Sequence, residues 1–221
     1  MMILTEAREI QKSLAARVEI TGLARDVKYV AGADAAFCGD DVVGSACLFT
    51  YPALEKIDEA AVTQKTDFPY IPGFLSFRES PALIGAINGL RHRPDVLIVD
   101  GQGIAHPSRV GLASHIGVLL DMVSIGCAKS RLIGTYDEPG MEKGRWSCLF
   151  DARECIGAVL RSRTGVRPLF ISPGHLIDID GAVELVSACL RRFRLPEPVR
   201  CAHNAAAVYK KRYHRRCLND S

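Results

Sequence analysis

The 221-residue sequence lacks several features that would assign a protein to a class at once. No apolar stretch is long enough to span a membrane, because the nearest candidate, residues 110–128, is interrupted by His115, Asp121 and two serines. Residues 1–9 carry charge too early for a secretory signal. The eight cysteines include no Cys-x-x-Cys pair. We therefore expect a protein of the cytoplasm, with reduced thiols and without a disulfide framework or zinc knuckle.

The composition that is present is typical of a globular protein. Hydrophobic residues make up 48% and charged residues 24% of the chain, which is long enough to bury a sizeable core. No repeat, low-complexity segment or linker divides it, so we expect one domain over residues 1–221. The net charge is only +3, but residues 191–221 contain nine Lys and Arg against two acids. A basic helix or tail at about 199–221 suits an anionic partner such as nucleic acid. A solvated tail without a partner is the alternative.

The apolar pattern predicts a meander of three strands, followed by alternating helices and strands. The predicted bounds are helix 5–18, strands 29–37, 42–51 and 54–66, helix 76–91, strand 96–99, helix 108–120, strand 123–128, loop 134–147, strands 154–163 and 168–172, and helices 178–193 and 199–216. Ser76 and Glu79 have the spacing of a capping box. This order is that of the ribonuclease H-like fold, an α/β fold with a mixed β-sheet flanked by helices.

Three acidic residues occupy positions that the ribonuclease H-like fold brings together. Asp100 follows the apolar run 96–99, which is typical of a central strand buried on both faces, and such sheets place ligands at strand ends. Asp34 lies within a predicted strand among small apolar residues, where an ion pair across the sheet is the alternative explanation. For Glu79 the alternative is the capping box. We predict that these three carboxylates, from two strands and one helix, converge.

Three carboxylates close together would repel one another and raise one another's pKa, which a divalent cation relieves. We predict Mg²⁺, with Mn²⁺ as a substitute, because both prefer oxygen ligands and both activate water for attack on phosphate. Lys129 follows the predicted strand 123–128 and should emerge beside Asp100, although most lysines are simply exposed. His203 lies on the closing helix, which in this fold usually supplies a fourth metal-facing side chain. The predicted catalytic set is Asp34, Glu79, Asp100, Lys129 and His203, with the three acids as metal ligands.

Six blocks of the sequence resemble those of a known nuclease family. They are residues 30–34, 69–79, 99–107, 111–117, 125–129 and 195–200. The block Pro-Tyr-Ile-Pro-Gly-Phe-Leu-Ser-Phe-Arg-Glu at 69–79 is highly specific, whereas the Asp-Gly-x-Gly pattern at 100–103 is weak on its own. Over almost its whole length the chain resembles endonuclease V, the deoxyinosine-directed repair nuclease.

The resemblance implies cleavage of the second phosphodiester bond 3′ to a deaminated base, leaving 3′-hydroxyl and 5′-phosphate ends. It also implies that an aromatic wedge fills the gap left when the lesion turns out of the helix. The wedge and its neighbours fall at Tyr70, Pro69, Ile71 and Pro72. The backbone that would line the hypoxanthine pocket falls at Gly73, Leu75 and Gly101. A packed loop aromatic is the alternative for Tyr70.

Two residues depart from the family pattern. Gln102 stands where many members have histidine, and Ala105 stands where serine is common, so we expect altered DNA contacts rather than loss of chemistry. The expected partner is DNA with deaminated bases, bound by a monomer away from membranes. Three other functions stay open: an inosine-specific endoribonuclease acting on single-stranded RNA, a nucleic-acid-binding module without metal chemistry, and a nuclease for RNA–DNA hybrids.

Overall fold

A computed structural model describes residues 4–23 and 26–219, with side chains up to residue 215. Predictions for residues 1–3, 24–25 and 220–221, and for the side chains of residues 216–219, including Cys217, lie outside this description. The described elements, in chain order, are α1 Leu4–Ala15, β1 Tyr29–Cys38, β2 Asp41–Thr50, β3 Lys56–Lys65, α2 Leu75–Asn88, β4 Val96–Val99, α3 Leu112–Leu120, β5 Val123–Ala128, β6 Trp146–Asp151, β7 Glu154–Leu160, β8 Leu169–His175, α4 Ile179–Ala188 and α5 Glu197–Asn219.

The eight strands form one mixed sheet in the order β3-β2-β1-β4-β5-β8-β7-β6. The first three strands are the antiparallel meander that the sequence predicts. Strands β1, β4 and β5 are adjacent and parallel, so their carboxyl ends lie at one edge of the sheet. The predicted α/β architecture, a mixed sheet flanked by helices, is therefore confirmed.

Helices cover both faces of the sheet. Residues from α4 and α5 share one buried apolar cluster with Val96 and Ile98, whereas residues from α2 and α3 share another with Leu97 and Val99. All four β4 side chains are fully buried, as expected for a central strand with alternate residues facing opposite layers.

Two glycines let a helix lie directly on the sheet. A Cβ at Gly32 in β1 would lie 2.0 Å from the carbonyl carbon of Pro198, and one at Gly44 in β2 would lie 2.4 Å from that of Ala82. Neither separation is possible for real atoms, so any larger residue at these positions would push α5 or α2 away. The first of these contacts sets α5 beside the strand that carries Asp34.

Several predicted local features are wrong. Helix α2 begins at Leu75 after Phe74, without a side-chain cap, and Ser76 instead places its hydroxyl 3.1 Å from Nδ1 of His115. The capping box therefore does not form, because both of its side chains are buried in tertiary contacts. Helix α3 begins at Leu112 rather than at 108, since Gly111 is still extended.

The other differences lie in the second half of the chain. Strand β6 was missed because it is the edge strand and exposes Trp146 and Phe150, so it has no strong apolar pattern. Helix α4 ends at Ala188, five residues before the predicted end. The seven cysteines with described side chains are free thiols, as predicted, although only Cys47, Cys127 and Cys189 are buried. Within the described ranges, no helix has the length and apolarity needed to cross a membrane.

Candidate active site

Three predicted catalytic residues lie where the parallel pairing of β1, β4 and β5 ends. The last paired residues of β1 and β4 are Ala33 and Val99, so Asp34 and Asp100 follow at the next position of the register. Lys129 directly follows β5, and its Nζ forms an ion pair with Oδ2 of Asp100. The parallel order of the strands therefore brings these three side chains to the same edge.

Helix α5 adds the fourth side chain. Nδ1 of His203 lies 2.6 Å from Oδ2 of Asp34, while Oδ1 of the same carboxylate accepts a hydrogen bond from the backbone N–H of Ala35. The side chains of Asp34 and Asp100 are each only 12% exposed, whereas that of His203 is 51% exposed. The imidazole therefore forms the open side of a carboxylate pair that is otherwise enclosed.

Glu79, on α2, is buried near the two aspartates but outside the group of ligand atoms that they form with His203. Among the described residues, the ligand atoms of Asp34, Asp100 and His203 lie within 4.8 Å of one another, and Glu79 is outside this group. Burial, followed by the charges of Asp34 and Asp100, raises the pKa of Glu79 from 4.5 to about 8. Its carboxyl group therefore keeps a proton at neutral pH as long as no cation is present to compensate.

The same repulsion acts on Asp34. Burial and the charge of Asp100 raise the pKa of Asp34, although His203 and Lys129 act in the opposite direction. Two enclosed carboxylates beside an imidazole nitrogen provide ligands for a small divalent cation, whose charge would relieve the repulsion between the carboxylates. These donors, mostly oxygen, fit Mg²⁺ or Mn²⁺ better than a soft metal.

A cavity of about 440 Å³ opens beside the carboxylates. Its walls include the three predicted lesion-pocket residues, the predicted wedge and three of the predicted catalytic residues. These are Gly73, Leu75, Gly101, Tyr70, Glu79, Asp100 and Lys129. Pro72 also lines the cavity, whereas the predicted neighbours Pro69 and Ile71 are in the same loop but not in the wall. Tyr70 is 69% exposed, so it is not a packed loop aromatic.

Two buried or half-buried side chains hold the loop that carries Tyr70. Nη1 of Arg78 donates to the carbonyl oxygen of Phe68 at 2.7 Å, and Nε2 of Gln11 donates to that of Gly73 at 2.8 Å. Sequence reasoning missed both residues. Gln11 carried a signal, since it lies on the same face of α1 as Ala7 and Leu14 and is buried with them.

The two departures from the family pattern lie close to the site. Nε2 of Gln102 donates to the carbonyl oxygen of Ser130 at 3.1 Å, just after Lys129, while its buried Oε1 has no partner among the described residues. Ala105 is buried in a small apolar cluster. Gln102 also lines the cavity beside His106, whose burial lowers its pKa to about 4 and keeps the ring neutral.

Comparison with known proteins identifies relatives that match most of the chain. The family model described as Endonuclease V matches residues 12–204. An Endonuclease V from Geotalea uraniireducens is 51% identical over 209 residues, which cover 95% of this chain and 89% of the relative.

Solved structures of Endonuclease V proteins are also similar to this chain. The crystal structure of Endonuclease V from Streptomyces avermitilis superposes with a TM-score of 0.92 at 34% identity, covering 97% of this chain and 96% of the other. The Endonuclease V from Ciona intestinalis, solved with DNA containing an inosine followed by a ribo-adenosine, has a TM-score of 0.82 at 26% identity and covers 95% and 98%. These similarities confirm the ribonuclease H-like fold.

Proposed function

The chain belongs to the endonuclease V family of nucleases, and on that premise we propose that it recognises deoxyinosine in DNA and cleaves the second phosphodiester bond 3′ to it, leaving 3′-hydroxyl and 5′-phosphate ends. One observation carries the proposal. A single cavity is bordered by the exposed Tyr70 and by the Asp100–Lys129 ion pair. The residues proposed to recognise the lesion and those proposed to cleave the phosphodiester bond therefore lie beside each other on one surface. The Ciona relative bound to inosine-containing DNA supports this substrate.

Asp34 and Asp100 would hold the metal ion, with Glu79 completing the acidic site. When bound, Mg²⁺ or Mn²⁺ supplies an activated water and neutralises charge on the phosphate. His203 is held against Asp34 by their 2.6 Å contact, which keeps the imidazole at the open side where a phosphate would enter. Lys129 is held by Asp100 and offers its ammonium group to the charge that develops on the phosphate oxygens.

Tyr70 would insert its ring into the space that the lesion leaves. Turning a nucleotide out of the helix costs a few kcal/mol and is cheapest for weakly paired bases, which favours deaminated bases over normal ones. Pro69 and Pro72 restrict the backbone on either side of Tyr70, so the exposed ring starts from a stiff support. The base itself would enter the cavity along the backbone of Gly73, Leu75 and Gly101.

Helix α5 would bind the phosphate backbone. Lys210, Lys211, Arg212 and Arg215 are exposed near its carboxyl end, so binding should weaken as salt rises. We further propose that the chain acts as a monomer and as one domain over residues 1–221. Its free thiols support a reducing compartment, which we propose is the cytoplasm.

The test compares labelled duplexes that differ only in one base, deoxyinosine or adenine, with and without Mg²⁺. We expect a nick at the second bond 3′ to deoxyinosine that requires the cation and is missing from the control duplex. Equal cutting of both duplexes, or cutting that persists in chelator, would contradict the proposal.

An inosine-specific endoribonuclease is the second candidate, because the strand bound by the Ciona relative has a ribo-adenosine directly after its inosine. Matched single strands with one deoxyinosine or one riboinosine decide between the two. Faster cutting of the riboinosine strand would favour RNA as the substrate.

A further inference from the structure

A second group of possible metal ligands lies between the β2–β3 hairpin and helix α5. It consists of Cys47 on β2, Glu59 on β3 and Cys201 on α5, whose ligand atoms all lie within 4.8 Å of one another. None of these residues belongs to the carboxylate site or lines the cavity beside it. The group needs its own explanation, because the proposed nuclease chemistry uses none of its members.

The backbone sets the positions of all three side chains. Cys47 and Glu59 are directly opposite each other in the antiparallel register, so their side chains project from the same face of the sheet. Ser45, two residues before Cys47, donates its hydroxyl hydrogen to the carbonyl oxygen of Ala202 at 2.7 Å. This hydrogen bond fixes the turn of α5 that contains Cys201 above the same face.

The carboxylate of this group is already paired with a positively charged side chain, that of Lys56. Oε2 of Glu59 accepts hydrogen bonds from Sγ of Cys47 at 3.6 Å and from Nζ of Lys56 at 2.6 Å. The side chain of Lys56 is 43% exposed, so its ammonium group can turn into solvent when another cation takes its place. Lys56 therefore balances the charge of Glu59 but can be displaced from its carboxylate by a bound cation.

We infer that Cys47, Glu59 and Cys201 form a binding site for a thiophilic divalent cation of the zinc class. Two thiolates and one carboxylate suit tetrahedral Zn²⁺ with water as the fourth ligand, and thiolates select against Mg²⁺. Zinc bonds of about 2.0–2.3 Å place tetrahedral ligand atoms about 3.5–3.8 Å apart. The 3.6 Å separation of Cys47 and Glu59 already matches this spacing.

Binding exchanges bonds in a simple way. Each Sγ–H bond that is replaced by a bond to the cation releases one proton to the buffer, and Lys56 leaves Glu59 for solvent. The bound ion would join strand β3, at the edge of the sheet, to α5, the helix that also holds His203. Because the cation binds only the folded chain at these three positions, it should raise the melting temperature.

The test uses the full-length protein, reduced and stripped of metal, in excess Mg²⁺ so that the carboxylate site does not compete. Co²⁺ serves as the probe, because only cobalt bound to thiolate gives an intense charge-transfer absorption. We expect one equivalent to bind with this absorption and Zn²⁺ to displace it. Cys201→Ser should lower the absorption, because only the Cys47 thiolate remains, and Glu59→Gln should weaken Co²⁺ binding by about tenfold or more, since even loss of an outer-shell partner costs about that much.

Two matched variants act as controls, Cys155→Ser at another half-buried thiol and Glu55→Gln at an exposed carboxylate four residues from Glu59. Both should keep the absorption and the affinity. The inference is overturned if Co²⁺ binds without the thiolate absorption, or if Cys201→Ser leaves the absorption undiminished. It is also overturned if the reduced chain binds no Co²⁺.

Discussion

The carboxylate cluster and the loop of Tyr70 border one cavity, but different forces hold them in place. Asp34 and Asp100 continue the hydrogen-bonded register of two parallel strands and are enclosed against each other's charge. Among the described residues, the loop pairs with no strand, and two side chains from different helices, Gln11 and Arg78, hold its ends while Tyr70 stays exposed. Changes in the cluster should therefore affect cleavage, and changes in the loop should affect binding.

The largest effect is expected from Asp100→Asn. It removes a charge from the cluster and the ionic partner of Lys129, so we expect nicking of an inosine duplex to fall by about 10³-fold or more. Affinity for the uncut duplex should change by no more than a few-fold, since the loop is intact. Asp121→Asn, at a side chain that is 91% exposed, is the control and should nick normally. If Asp100→Asn nicked the duplex at the wild-type rate, the carboxylate cluster would not be the catalytic site.

The next largest effect concerns the pH dependence of stability in the metal-free protein. The pKa of Glu79 is about 8 in the folded chain and 4.5 in the unfolded chain. Between pH 4.5 and pH 8 the folded state therefore holds a proton that the unfolded state has lost. Stability should therefore fall, by a few kcal/mol, as pH rises from about 4.5 to about 8. Glu79→Gln should flatten this slope, and so should added Mg²⁺.

Melting temperatures in chelator from pH 5 to pH 9 provide the measurement. Glu55→Gln and Tyr70→Ala should keep the wild-type slope, because neither change touches the cluster. If Glu79→Gln left the pH dependence of the melting temperature unaltered, the protonation of Glu79 would not contribute to stability.

Tyr70→Ala should weaken lesion binding without affecting the fold. Stacking of a base on an aromatic ring contributes about 1–3 kcal/mol, so we expect specific affinity for the inosine duplex to fall by about 5- to 150-fold. The melting temperature should not change, since the side chain is 69% exposed. Fluorescence anisotropy in the Asp100→Asn background measures binding without cleavage, and Tyr70→Phe should restore it. Equal affinities for Tyr70→Ala and its parent would exclude the wedge.

Gln11→Ala should have the smallest effect on DNA binding and should show whether the stability of the Tyr70 loop contributes to that binding. It leaves the carbonyl oxygen of Gly73 and the hydroxyl of Ser108 without their partner, which should cost about 1–3 kcal/mol of stability. Hydrogen exchange at residues 70–74 should accelerate, and affinity for the inosine duplex should fall less than in Tyr70→Ala. Lys12→Ala, at the neighbouring exposed position, is the control. Unchanged exchange in this loop would mean that Gln11 does not hold it.

The two regions also differ in how far they could be predicted from the sequence. An acid after a short apolar run, and a lysine after the next one, are enough to place Asp100 and Lys129 at neighbouring strand ends, because parallel strands align their carboxyl ends. No local pattern shows that Gln11 reaches Gly73 across 62 residues of sequence. The capping box at Ser76 and Glu79 failed for a related reason, since a favourable local hydrogen bond lost to burial in tertiary contacts.

The sequence by itself determined the order of the five helices and of seven of the eight described strands, the family and the residues available for chemistry, because periodicity, turn residues and specific blocks are local properties. Only the tertiary structure decided which of those residues touch. It placed His203 against Asp34, buried Glu79 near the pair so that the charges of Asp34 and Asp100 raise its pKa, and brought Cys47, Glu59 and Cys201 together between the sheet and α5. The physical reason is that these contacts depend on how closely a helix approaches the sheet, which Gly32 permits and which no pattern within a single element reveals.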